Sequence, residues 1–299
     1  MARIVCVGLA CLDYLFKVAD LPAGGGKFFA ENYVAAPGGP AAAASIGVAT
    51  LGHEAIFLGR LGDDQVGKDL INRLSDRGVD ASNVRLVGGQ SSQVSAVIVD
   101  HDGERQIINY SSKLLDPDPS WLPAEIIRGA DFLLVDVRWP EGAEAALKIA
   151  REGKVPSLLD ADIAPVDTST LVMSADYVVF SERGLQMFSG ESDLDKGLVK
   201  AGTKADGWLA VTAGERGGFW LDDHNILQSS PAPQIEAIDT CGAGDIFHGA
   251  FAVAKAEQMD NQLAMRFASV AASLKCLTFG GSLGAPDRNA VGSLLSGMG

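Results

Sequence analysis

Residues 131–162 read DFLLVDVRWPEGAEAALKIAREGKVPSLLDAD. Two apolar runs, 131–137 and 156–162, flank a segment at 141–153 whose apolar residues recur at helical spacing. Short apolar runs bounded by turn residues suit strands covered on both faces. The same alternation extends outward. RIVCVGL (3–9), AIFLGRLG (55–62), DYVVF (176–180) and GWLAVTAG (207–214) read as further strands. AAAASIGVATL (41–51) reads as a helix whose small residues allow close approach to a sheet. GKDLINRLSDRG (67–78) reads as an amphipathic helix stopped by Gly78. Strand–helix alternation over this length predicts an α/β fold, a mostly parallel sheet with helices on both faces.

The chain has 299 residues, 47% of them hydrophobic, which is enough for a sizeable core. That length allows one large α/β domain or two smaller ones. A formal charge of −14 gives no bulk attraction to nucleic acid or to an anionic membrane. Any well-placed Lys or Arg is therefore informative. The first residues, MARIVCVGLA, start a strand at once and do not read as a secretory leader. No apolar run is long enough to cross a membrane. Cys6, Cys11, Cys241 and Cys276 are scattered in apolar surroundings, without CxxC spacing. Reduced thiols and a cytoplasmic protein are expected.

Two segments break the rhythm. Residues 12–36 and 90–113 alternate polar with apolar and aromatic residues and hold no good helix. SSQVSAVIVDHDGERQIINY reads as a hairpin turning at Asp102-Gly103. The expectation is one domain spanning 1–299, with these insertions forming a small β-lid over the main sheet. Surface decoration is the alternative.

DTCGAGDIFHGAF (239–251) sets Gly242, Ala243 and Gly244 ahead of Asp245 and an apolar helical stretch. Helix N-termini offer unpaired N–H groups and partial positive charge. Small residues let a phosphate approach that backbone. Phosphoryl transfer to an alcohol needs such charge stabilisation and a base near the attacking hydroxyl, and Asp245 stands where a base would stand. The plainer reading makes Asp245 an N-cap, worth about 1 kcal/mol.

Nearly the whole chain resembles the PfkB (ribokinase-like) carbohydrate kinases. DTCGAGDIF (239–247) matches the C-terminal signature. PGGPAAAASIGVATLG (37–52) and GRLGDDQVG (59–67) match the N-terminal one. The resemblance implies a ribokinase-like three-layer α/β/α core, Rossmann-like, with a β-sheet lid, and ATP- and Mg²⁺-dependent phosphorylation of a sugar hydroxyl. It implies Asp245 as catalytic base and Gly242, Ala243 and Gly244 as the anion hole. Asp13, taken to end the first strand, would grip sugar hydroxyls beside the backbone of Gly38 and Gly39. Thr212, Gly214 and Gly217 in VTAGERGG would lie near ATP. Two departures stand out. Ala43 occupies a position where the family commonly has Asn. SERG (181–184) replaces the usual Asn-x-x-Glu, so Ser181 falls on the nucleotide side and the metal ligands are open, with Asp162 and Glu182 as candidates.

Three residues fall where the far end of a substrate would lie: Lys27, Asn109 at the end of the hairpin, and Arg138 after strand 131–137. Ligands of open α/β sheets bind outside the carboxyl ends of strands. An Arg fork, a Lys and an amide there suit a tetrahedral anion. Singly, each has a plainer reading: a solvated lysine, a strand-end amide, and an Arg paired with Asp136 or Glu141. Within the family, LPAGGGKFFAENY, DVRWPEGA and GAGDIFHGAFAVA are most similar to the sulfofructose kinase branch. That resemblance implies that Lys27, Asn109 and Arg138 hold the sulfonate of 6-deoxy-6-sulfofructose while its C1 hydroxyl is phosphorylated. A homodimer joined through the lids is also expected. The alternatives are another family kinase, acting on fructose 6-phosphate, fructose, ribose or a keto-deoxy acid, and a catalytically silent sugar or nucleotide sensor.

Overall fold

The computed structural model describes every residue except Lys113, Leu114, Pro165, Asp223, Met298 and Gly299. Lys113, the last residue of the second expected insertion, thus lies outside the described residues. Among the described residues ten strands form the main sheet, nine of them in one path. Its order is Leu227–Ser230, Gly218–Leu221, Trp208–Thr212, Tyr177–Ser181, Ser157–Ala161, Phe132–Asp136, Arg3–Gly8, Glu54–Gly62 and Val79–Asp80, with Arg85–Val87 also on Glu54–Gly62. All pairings from Trp208–Thr212 onward are parallel; the first two pairings, both made by Gly218–Leu221, are antiparallel.

The apolar strand runs have a simple cause. Successive side chains point to opposite faces, and both faces are covered. Ile4 and Cys6 enter a core with the helices Pro40–Thr50, Ala243–Ala256 and Asn261–Lys275. Val5 and Val7 enter the opposite core, under the helices Pro140–Gly153, Glu182–Ser189 and Leu194–Gly202. Each fully buried Val, Leu or Ile contributes roughly 1.5–3 kcal/mol, so these central strands anchor the fold.

The helix of the opening stretch runs Pro140–Gly153, with Pro at its start, Glu141 in the first turn and Arg151 in the last. It ends at Lys154, whose φ of 59 is left-handed. The helix expected at 67–78 is Gln65–Ser75 instead. Asp64 starts it earlier by accepting the Gly67 N–H at 2.8 Å. The stretch up to Gly78 is a turn, with Arg77 and Gly78 bonded back to Leu74 and Ser75.

A second sheet has the order Asn32–Gly38, Cys11–Lys17, Val94–Val99 and Arg105–Tyr110. Its central pair is parallel and its outer pairs antiparallel. The hairpin turn at Asp102-Gly103 is present, with Gly103 at φ 77. Leu15, Val97, Val99 and Ala36 are buried against Cys241. This sheet corrects one expectation. Asp13 does not end the first strand; it lies on Cys11–Lys17. The first strand stops at Gly8, where a Cβ would overlap the Asp136 carboxylate, and the Leu9 N–H then bonds Asp136 at 2.8 Å. Among the described residues, no helix is long and apolar enough to cross a membrane.

Candidate active site

Strand Arg3–Gly8 has the next strand of the main sheet, Glu54–Gly62, on one side and Phe132–Asp136 on the other. The strand order reverses there, and a crevice opens outside the carboxyl ends. A cleft of about 390 Å³ occupies this place. Its walls come from both sheets. Asp13 and Ser95 face it from the second sheet, and Asp160, Asp162, Ser181 and Thr212 from strand ends. Gly242, Gly244, Asp245 and His248 close it at a helix start.

The glycine loop has the geometry of an anion site. Gly242 precedes the helix Ala243–Ala256 with φ 78, and no side chain caps the helix. Asp245 is therefore not the N-cap, and the plainer reading of it falls. The Ala243 N–H turns back to the Thr240 carbonyl at 3.3 Å. Ala243 is absent from the cleft wall, unlike its two glycine neighbours. Among the described residues the N–H groups of Gly244 and Asp245 have no carbonyl partner. They are the orphan donors of a helix start, available to an anion.

Asp245 opens on the cleft from the first turn of that helix. Burial, then the Asp160 charge, pushes its pKa up to about 7, while His248 pulls the other way. A carboxylate of that affinity is matched to taking a proton near neutral pH. His248 stands one helical turn on. Its Nδ1 and Nε2 lie 2.7 and 3.2 Å from the carbonyls of Gly244 and Val179, and burial lowers its pKa. Asp13 is raised by burial and steadied by bonds from Cys11 and Ser95. Gly38, opposite Cys11 and diagonal to Asp13 across the strand pair, leaves it room: a Cβ there would overlap the Asp13 carboxylate. Gly39 has φ 89, and a Cβ would lie 2.6 Å from the Leu9 carbonyl, so the backbone passes closely here.

The expected anion trio is brought together only in part. Asn109 and Arg138 line the cleft. Lys27 does not; it is exposed, with its ammonium 5.6 Å from the Phe29 ring centre. Arg138 pairs with neither Asp136 nor Glu141 through its side chain. Its guanidinium meets Asp162 at 2.6 Å, and only its backbone N–H bonds Asp136. Asp162 also accepts from Ser181 at 2.7 Å, and Glu182 meets Arg216 at 2.6 Å and stays off the cleft wall. Glu182 is thus a poor metal candidate. Gly214 and Gly217 bracket a short 3-10 turn beyond Thr212 and do not line the cleft.

Among the lining residues that escaped the sequence reading are Asp160, Arg105 and His248. Each had a periodic signal. Asp160 stands two residues before Asp162 at the end of a strand, Arg105 shares a strand face with Asn109, and His248 is three residues after Asp245 on a helix. Asp160 is buried, and its pKa is raised well above the usual range by burial and by Asp162.

The chain matches the pfkB family of carbohydrate kinases over residues 1–288, and it belongs to that family. A crystal structure from Agrobacterium tumefaciens, provisionally described as a ribokinase, superposes with a TM-score of 0.95 at 38% identity, covering 99% of this chain and 98% of that one. Arabidopsis thaliana ribokinase, solved with ribose and ATP, gives 0.83 at 28% identity, with 98% of both chains covered. Bacillus subtilis ribokinase is 29% identical over 301 residues, spanning 99% of this chain and all 100% of the relative. The protein is a ribokinase-like sugar kinase.

Proposed function

We propose that this kinase transfers the γ-phosphoryl group of ATP to the C1 hydroxyl of 6-deoxy-6-sulfofructose, giving the 1-phosphate. The observation that carries the reading is the entry of Arg138 and Asn109 into the same cleft as Asp13 and Asp245. A guanidinium and an amide in the same cleft as a base and orphan N–H groups suit a sugar with an anionic tail. Lys27 is the third sulfonate ligand in this reading, and the exposed segment that carries it would have to fold inward.

In the reaction, Asp13 and the backbone at Gly38 and Gly39 orient the ring. Asp245 takes the proton of the C1 hydroxyl as that oxygen attacks the γ-phosphorus. The bond from γ-phosphorus to the bridging oxygen breaks, and ADP leaves. The N–H groups of Gly244 and Asp245 stabilise the charge on the moving group. Ser181, Thr212, Gly214 and Gly217 flank the nucleotide. Among the described residues no cluster of three or more acidic, His or Cys side chains makes a metal cage. The mutual repulsion of Asp160 and Asp162 nevertheless fits a divalent ion that keeps waters and phosphate oxygens as its other ligands. Mg²⁺ would enter with ATP beside those two acids and neutralise phosphate charge.

The test is an ATP-consumption panel of sulfofructose, fructose 6-phosphate, fructose and ribose, with the product read by phosphorus NMR. Sulfofructose is expected to give the highest kcat/KM and a C1 phosphate. Faster turnover of fructose 6-phosphate would remove the sulfonate assignment. Ribose is the second reading, favoured by the ribokinase relatives. A neutral pentose would leave Arg138 paired with Asp162, as it is in this structure.

Gly38→Ala tests the sugar side. The new methyl pushes Asp13 aside, so the KM for sugar is expected to rise about tenfold or more while the KM for ATP holds. Equal changes in both constants would contradict the assignment of Asp13 to the sugar.

A homodimer through the second sheet is also proposed, supported by Tyr33, Ile108 and Tyr110, which are 52%, 70% and 55% exposed. Light scattering that gives a monomer mass would contradict it. The four buried free thiols support a cytoplasmic location, which cell fractionation checks.

A further inference from the structure

Lys275 ends the helix Asn261–Lys275 and is completely buried. A lysine is almost never enclosed in this way unless it is paired. Its ammonium donates to the backbone carbonyl of Asp239 at 2.6 Å and lies 3.2 Å from Asp239 Oδ2. Asp239 is equally buried. Its carboxylate collects three backbone N–H donors: Cys241 on Oδ1 at 2.8 Å, and Gly280 and Gly281 on Oδ2 at 2.9 and 2.8 Å. Burial works to raise the Asp239 pKa, but the Lys275 charge and those donors hold it below the usual range.

One ion pair therefore joins three pieces of chain. They are the end of a helix, the stretch leading into Gly242, and the turn Gly281–Gly284. The turn adjoins the glycine loop, since a Cβ on Gly242 would lie 3.6 Å from the Ser282 nitrogen. Ser282 in turn donates to the Pro37 carbonyl, next to Gly38. Cys241, held by Asp239, lines the cleft. A buried ion pair is a weak way to gain stability, because desolvation cancels much of the attraction. It is a good way to fix backbone geometry.

We propose that Lys275 is a positioning residue for phosphoryl transfer, an ammonium built into the fold that holds segment 239–242 through Asp239. It places a fixed positive charge 3.2 Å from Asp239 Oδ2, inside the fold. The proposal rests on residues 242–245 being the phosphoryl site, which Asp245→Asn tests separately.

The experiment uses whichever sugar of the panel the wild-type protein turns over, so a wrong sulfonate assignment leaves it intact. Wild-type kcat is expected to be the same in potassium, sodium and tetramethylammonium chloride. Lys275→Ala is expected to lose about a hundredfold in kcat with little change in sugar KM, and ammonium or methylammonium is expected to restore part of it. If Lys275→Ala does not fold, Asp239→Asn/Lys275→Met removes both charges together. That variant is expected to fold, to show the same loss, and to gain nothing from ammonium. A potassium requirement in the wild type overturns the proposal. So does wild-type kcat in either variant, or a loss in folded Lys275→Ala that added cations leave untouched.

Discussion

Asp245→Asn is expected to lower kcat by about 10²–10⁴-fold. Substrate KM values should change little, because the lost interaction is made only as the proton moves. Asn keeps the shape and the backbone N–H of residue 245 but accepts no proton. Wild-type kcat/KM should also fall as pH drops through about 7, where the raised Asp245 carboxyl takes up its proton. Asp245→Asn should lose that limb of the profile. The sign for stability is the opposite. Between the ordinary carboxylate range and about 7 the folded protein binds this proton more tightly than the unfolded chain does. The contribution of Asp245 to stability therefore declines as pH rises through that window. At pH 8 the variant should melt at the same temperature or higher. A protein that keeps full activity with Asn at 245 has its base elsewhere.

The second large effect belongs to Arg138→Ala. Losing a charge-assisted, forked contact to the sulfonate costs about 1.5–3 kcal/mol, or roughly 10- to 150-fold in kcat/KM for sulfofructose. Turnover of neutral fructose should stay near its wild-type value. The complication is Asp162, which pairs with Arg138 in this structure. Ser181 still donates to Asp162 in the variant, so that acid keeps a partner. Arg138→Lys retains the charge without the fork and should fall between the two. Equal losses with sulfofructose and fructose would mean that Arg138 acts through Asp162 rather than on the sugar.

The central strands were legible because a strand covered on both faces must be apolar throughout, as Phe132–Val135 and Ile4–Val7 are. The glycine loop was legible as a helix start, because small residues and an acid stand side by side in the chain there. Asn109 and Arg138 were legible from their positions at element ends. Lys27 shows the limit of that argument, since position on an insertion does not aim a side chain. The start of the helix Gln65–Ser75 was missed because Asp64 was not read as its cap. Asp13 was placed on the wrong strand because nothing local marks the break at Gly8; its cause is Asp136, far along the chain. The pair Asp239 and Lys275 joins residues 36 apart, and no spacing rule connects them.

The most direct test of the sulfonate assignment is a competition. Sulfofructose and ribose are mixed in equal amounts with limiting ATP, and the two phosphorylated products are counted by mass spectrometry. Their ratio is the ratio of kcat/KM values. The account predicts that sulfofructose 1-phosphate dominates, and that Arg138→Ala shifts the ratio toward ribose. Ribose phosphate as the main product of the wild-type protein would contradict it.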